Sequence, residues 1–118
     1  MSGAARWPEM VAAVQAFHDK HDFKARGGEE LVYRVALMAE ELGEVSAAVT
    51  KGKPKDALAE ELADLLILLI GTEISAGVDL HAAFWSKMDE LMQREARTVA
   101  GRVRVSRFDG VPPAEGGA

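Results

Sequence analysis

Apolar residues recur three and four positions apart along most of this chain, the spacing of an amphipathic helix. Trp7, Met10, Val11, Val14, Phe17 and His21 form the first such stripe, with Pro8 suited to an opening helical turn. Residues 22–28 break the pattern and end in Gly27-Gly28. A second helix is predicted over about residues 29–50, with Leu31, Val35, Met38, Leu42, Val45 and Val49 as its core face. After a Lys-Gly-Lys-Pro-Lys turn comes a third helix, about residues 56–75. It differs from the others because residues 65–70 are all leucine or isoleucine. A helix that is apolar all round is buried on every side, either centrally or between subunits. A small monomer has little material to cover it, so the pattern predicts an oligomer. Gly77 closes this helix, and Asp79 is suited to cap a fourth that turns Leu80, Phe84, Met88 and Leu91 inward. Beyond Arg97 the pattern changes to strict alternation, a short strand or an extended arm. Residues 109–118 are small, Pro- and Gly-rich, and expected to be mobile.

These elements predict an all-α protein: an antiparallel four-helix-type bundle whose helices pack across a dimer interface. Residues 1–100 form the domain, and residues 101–118 a basic arm and tail. A length of 118 residues allows one domain and hardly two. The chain has no Cys, which excludes disulfides, thiolate metal sites and a cysteine nucleophile. Its net charge of −5 argues against nucleic acid or an anionic membrane as partner, since both want a basic surface. The longest apolar run is too short to span a bilayer. No apolar stretch resembling a secretion signal follows the first basic residue, so a cytoplasmic location is expected.

The charge is unevenly placed. Residues 29–73 hold ten acidic and four basic side chains. Two clusters stand out: Glu40-Glu41-Leu42-Gly43-Glu44 on the second helix and Glu60-Glu61-Leu62-Ala63-Asp64 on the third. Within each pair, Glu41/Glu44 and Glu61/Asp64, the two side chains lie roughly 60° apart around the helix and border its apolar face. A Glu-rich stretch alone is usually a solvated helix face. Two such stretches, each bordering an apolar face on helices joined by a short turn, point to a shared site. Four carboxylates in one half-buried space repel each other unless a cation neutralises them. Oxygen donors without His or Cys select a hard metal, Mg²⁺ first and Mn²⁺ as substitute. Such a metal commonly serves phosphate chemistry, so the cluster suggests hydrolysis of a phosphate anhydride. A di-iron carboxylate bundle expects Glu-x-x-His pairs, and His18, His21 and His81 all lack the required Glu.

The sequence Glu-Glu-x-x-Glu, then Glu-x-x-Asp after sixteen residues, resembles the signature of the all-α nucleoside triphosphate pyrophosphohydrolases. That superfamily includes MazG-like proteins, dimeric dUTPases, dCTP pyrophosphatases and phosphoribosyl-ATP pyrophosphohydrolase. The resemblance implies that Glu41, Glu44, Glu61 and Asp64 bind Mg²⁺, and that Glu40 either supports these ligands or helps activate the attacking water, with a ligand carboxylate such as Glu41 as the other candidate base. It implies cleavage of a nucleoside triphosphate between the α- and β-phosphates. The segment Ser86-Lys87-Met88-Asp89, followed by Arg94, is similar to the last helix of the dCTP-pyrophosphatase and MazG-like branch, which implies that Lys87 and Arg94 contact the triphosphate. Seven residues are two helical turns, so this pair shares a face. Phe17 and Phe23 resemble an aromatic pair ahead of the first motif. Phe17 falls on the core stripe, leaving Phe23 as the ring to stack on a base. Lys53, at the basic turn between the two motifs, is either solvated or closes over the phosphates.

The chain also departs from its look-alikes. Leu91 stands where related last helices often carry Asn, Leu68 replaces an aromatic found after Glu-x-x-Asp in some relatives, and Glu95 replaces another after the last-helix Arg. These changes spare the acidic motifs and bear on substrate choice. The resulting expectation is a homodimeric or homotetrameric nucleotide pyrophosphohydrolase clearing surplus or noncanonical triphosphates. The alternatives are phosphoribosyl-ATP as substrate, or a helical module that binds nucleotides or partners without catalysis.

Overall fold

The structure is a computed structural model and describes residues 6–110 and 112. The elements are α1 (Trp7–Lys20), α2 (Leu31–Thr50), α3 (Lys55–Ala76), α4 (Leu80–Met92), β1 (Ala96–Val99) and β2 (Arg102–Val105). They form two compact units, the first ending at Leu80 and the second beginning at His81. The expected tail of residues 109–118 lies mostly outside the described residues.

In the first unit, α3 is the element against which both α1 and α2 pack. α1 opens with Pro in its first turn, and the Glu9 carboxylate accepts the backbone N–H of Arg6 at 3.2 Å. α2 and α3 are joined by residues 51–54, a connection short enough to force them antiparallel. α3 ends at Gly77, whose φ of 67° is left-handed. The Val78 N–H reaches back to Glu73 O at 3.2 Å, closing the last turn. Glu73 Oε2 also accepts the first N–H of α4, from Leu80, at 2.9 Å. Among the described residues no single helix is long and apolar enough to cross a membrane.

The helix positions match the periodicity, but the buried faces do not. The predicted core face of α2 is largely open: Leu31, Val35, Leu42 and Val49 are exposed. The buried face is offset from it by part of a turn and carries Arg34, which bonds to α3, and Ala48. Phe17 is likewise 45% exposed, where the α1 stripe placed it in the core. α3 buries Ile70 and Gly71 yet leaves Leu62, Leu66, Ile67 and Leu69 open. Among the described residues, α3 is thus not buried on every side as its sequence leads one to expect.

The second unit holds α4 and a β-hairpin. β1 and β2 pair antiparallel, with Val99 opposite Arg102. Ala100 and Gly101 between them both have positive φ, as a two-residue hairpin turn requires. The alternating pattern was expected to give one strand or an arm; it folds back on itself, and its first strand begins at Ala96. With four helices and one small hairpin among the described residues, the fold is mostly helical, consistent with the expected all-α class. Glu90 on α4 gathers Lys87, Arg94 and Arg107, with Lys87 Nζ at 3.2 Å and Arg107 Nη2 at 2.8 Å. These cations hold the Glu90 carboxyl down at about 2, the Arg107 bond having the largest effect. The Arg97 guanidinium lies 4.2 Å from the centre of the Phe108 ring.

Candidate active site

Antiparallel pairing of α2 with α3 brings the two acidic motifs to one level. Carboxylate oxygens of Glu41, Glu61 and Asp64 all lie within 4.8 Å of one another. Glu41 and Glu61 are half-buried and Asp64 is exposed. Burial, followed by hydrogen bonds to Glu61 and Asp64 and by their negative charge, pushes the Glu41 carboxyl up to about 7. A protonated Glu41 can donate to its neighbours; an ionised one adds a third negative charge to the same small space.

Two of the trio, Glu41 and Asp64, line a cleft of about 690 Å³. Glu40, Glu41 and Asp64 supply its polar rim, while Phe17, Leu37, Ile67 and Leu68 are among its apolar walls. A second hollow of about 440 Å³ shares Phe17 and Leu37 with the first and adds His21, Phe23, Arg26 and Tyr33. An acidic rim beside apolar walls suits a ligand with a charged end and a flat apolar end.

The other residues singled out in the sequence are placed as follows. Glu40 is exposed at the cleft. Glu44, one turn beyond Glu41, is exposed and is not part of the trio. Phe23 lines the second hollow, but its ring packs on His18 with centroids 4.5 Å apart. Gly28 is tight against its other atoms, since a Cβ there would come within 2.9 Å of the ring. Lys53 is exposed in the α2–α3 turn, where its backbone N–H donates to Ala48 O. Lys87 and Arg94 belong to the second unit, where both bind Glu90.

The profile of the phosphoribosyl-ATP pyrophosphohydrolase family matches residues 12–91, which include both acidic motifs. The chain belongs to this family. It is a nucleotide pyrophosphohydrolase of the all-α MazG-like superfamily. Its fold is similar to the solved structure of the cyanophage S-2L MazG-like pyrophosphohydrolase, with a TM-score of 0.64 and 25% sequence identity. The similarity covers 86% of this chain and 98% of the phage protein, which was solved with dGDP and three catalytic Mn²⁺ ions per active site. No curated protein sequence gives a significant match.

This pyrophosphohydrolase also contains a polar cluster that the sequence reading missed. Arg34 is 1% exposed and lies inside the first unit. It donates from Nε to Thr72 Oγ1 at 3.2 Å, from Nη1 to Gly28 O at 3.2 Å and from Nη2 to Leu68 O at 3.1 Å. Burial lowers its pKa from the ordinary value, partly offset by the charge of Glu29. Beside it His18, 2% exposed, is hydrogen-bonded through Nδ1 to Glu29 at 3.0 Å. Two signals were available in the sequence. Arg34 precedes Glu41 by seven residues, hence on the same side of α2, and Gly71 ends the apolar run of residues 65–70 inside a helix.

Proposed function

We propose that this pyrophosphohydrolase uses Mg²⁺, or Mn²⁺ in its place, to cleave nucleoside triphosphates between the α- and β-phosphates. The products are a nucleoside monophosphate and pyrophosphate. The observation that carries this reading is the convergence of Glu41, Glu61 and Asp64, two of which, Glu41 and Asp64, also line an apolar cleft. The donors are all carboxylate oxygens, the set a hard divalent cation takes. The raised Glu41 carboxyl fits such a site, because the trio lacks a neutralising positive charge of its own. Glu41, Glu61 and Asp64 would hold the ion, with Glu44 as a further candidate. When bound, the ion supplies positive charge to the phosphates and makes water more acidic.

Glu40, at the rim, accepts a proton from the attacking water. The water oxygen bonds to the α-phosphorus, the bond to the bridging oxygen breaks, and pyrophosphate leaves with that oxygen. The apolar walls beside Glu41 take the nucleoside and limit access of bulk water. Phe23 is the candidate for contact with the base. Lys53, Lys87 and Arg94 are the candidates for contact with the phosphates, on their charge and on motif resemblance.

The dGDP and Mn²⁺ of the phage structure support a nucleotide substrate and a divalent ion here. The family's own description supports a second substrate, phosphoribosyl-ATP, cleaved by the same chemistry. Exposed apolar side chains on α2 and α3 support a homodimer, or a tetramer made from two dimers. The corresponding role is housekeeping of a cytoplasmic nucleotide pool. The test is incubation with Mg²⁺ and a panel of ribo- and deoxyribonucleoside triphosphates that includes phosphoribosyl-ATP. Pyrophosphate as the first product is expected, and orthophosphate as the first product overturns the assignment.

A further inference from the structure

The carboxylate trio depends on α2 and α3 meeting at one register. Sliding one helix by a single residue moves its side chains about 1.5 Å along the axis and rotates them about 100°. Metal–ligand distances tolerate only about 0.2 Å. Something must therefore hold this pair of helices against slippage. Leucine and isoleucine side chains do so weakly, because one leucine packs much like the next.

Arg34 and Gly71 form the specific element in the seam. A Cβ built on Gly71 would lie 2.2 Å from Arg34 Nη2 and 2.8 Å from His18 Nε2. The guanidinium thus occupies space available only where α3 has no side chain. From there it donates to Leu68 O and Thr72 Oγ1 on α3 and to Gly28 O in the loop before α2. Thr72 Oγ1 itself donates to Leu68 O at 2.8 Å, orienting the hydroxyl that receives Arg34 Nε. Arg34 meets residues 68–72; seven residues on, Glu41 meets Glu61 and Asp64, about seven residues back along α3. Two turns separate the contacts on each helix, so fixing the first fixes the second.

We propose that Arg34, seated in the space left by Gly71, is the positioning residue of the carboxylate site. It sets the register at which Glu41 faces Glu61 and Asp64, without touching substrate. The inference rests on the metal-site reading given above.

The experiment measures Mn²⁺ affinity by calorimetry, together with thermal stability and the separate values of kcat and KM. The variants are Arg34→Lys, Thr72→Val, Thr72→Ser and, as a stability control, Ala48→Gly. Ala48 is also buried on α2 but has no polar partner in the seam. Arg34→Lys should weaken Mn²⁺ binding roughly 10- to 100-fold and lower kcat. Thr72→Val should act in the same direction by a smaller factor, and Thr72→Ser, which keeps the hydroxyl, should restore wild-type affinity. Ala48→Gly should lower thermal stability and leave Mn²⁺ affinity unchanged. If Arg34→Lys fails to fold, the two Thr72 variants decide the matter alone. Unchanged Mn²⁺ affinity in folded Arg34→Lys and Thr72→Val overturns the inference while leaving the metal site intact. An equal loss in Ala48→Gly also overturns it, because general instability then explains the effect. No Mn²⁺ binding by the wild-type protein overturns the metal reading and this inference together.

Discussion

Glu41 on α2 stands within hydrogen-bond reach of Glu61 on α3, two carboxyl groups facing each other across the seam of antiparallel helices. Burial of Glu41 and the pairing with Glu61 and Asp64 raise its titration from 4.5 to about 7. Because the folded value is the higher one, Glu41 stabilises the metal-free fold fully below about pH 4.5, and that contribution is lost as pH rises through about 7. The melting temperature of the metal-free protein should therefore fall between pH 5 and 8 by more than that of Glu41→Gln. Added Mn²⁺ should raise it more at pH 8 than at pH 5, since binding displaces the proton. A thermal-shift series across pH, with and without the metal, measures both effects.

Glu41→Gln and Asp64→Asn should each remain folded, because each removes a negative charge from a crowded group. Each should weaken Mn²⁺ binding by at least about 100-fold, a larger loss than supporting residues give. Pyrophosphate release should fall to background in both. Circular dichroism, calorimetry and a product assay separate loss of fold from loss of metal and of turnover.

Gly71→Ala should destabilise the first unit by about 1–3 kcal/mol, the usual range for forcing an extra carbon into packed surroundings. The inserted methyl meets Arg34 and His18, both buried. Urea denaturation measures the change. A glycine at 71 that mattered only for backbone freedom would give no such loss, since the position lies within α3.

How much of this was legible in the sequence depended on which signal each feature left. Helix limits were legible because Pro8, Gly77 and Asp79 sit at breaks of the apolar period, and the observed ends agree within a residue or two. The meeting of the two acidic motifs was legible because two motifs on consecutive helices leave few ways to pair, but four carboxylates were expected and Glu44 stays outside the group of three. Arg34 was not, since a stripe drawn through the most apolar positions of α2 runs beside it. Leu31, Val35, Leu42 and Val49 outweigh Arg34 and Ala48 in hydrophobicity, yet the latter two are the buried pair, and Arg34 bonds to α3. Periodicity finds a helix's apolar side; it does not say whether the same chain or a second copy covers it. The hairpin was half legible: alternation marked β2, while the turn at Ala100-Gly101 lacks the usual Asn or Asp.

Leu42→Glu should abolish self-association. Leu42 lies on the open stripe of α2 and away from the buried face, so the substitution adds charge without emptying a core. Light scattering should give the wild-type protein a mass of at least twice 12.7 kDa and the variant a single chain mass. A wild-type monomer would contradict the dimer.

Ala100→Gly should stabilise the hairpin by about 1 kcal/mol. Ala100 has a φ of 52°, a region in which a Cβ is penalised by roughly 1–2 kcal/mol, less the extra freedom of glycine when unfolded. Slower amide exchange at Thr98 and Val103, paired across the strands, would show it.

Two of the three groups that Arg34 grips, Gly28 O and Leu68 O, belong to the main chain. Their identity as acceptors does not depend on the side chain at 68, although Leu68 forms part of the cleft wall. Mutation can therefore change the shape of the cleft wall at that position while both main-chain acceptors of Arg34 stay in place. One position along α3 can vary its side chain against the cleft, and another, three residues later, has no room for one beside Arg34. Cleft shape and the seating of Arg34 thus answer to different side chains, although both lie within one turn of the same helix.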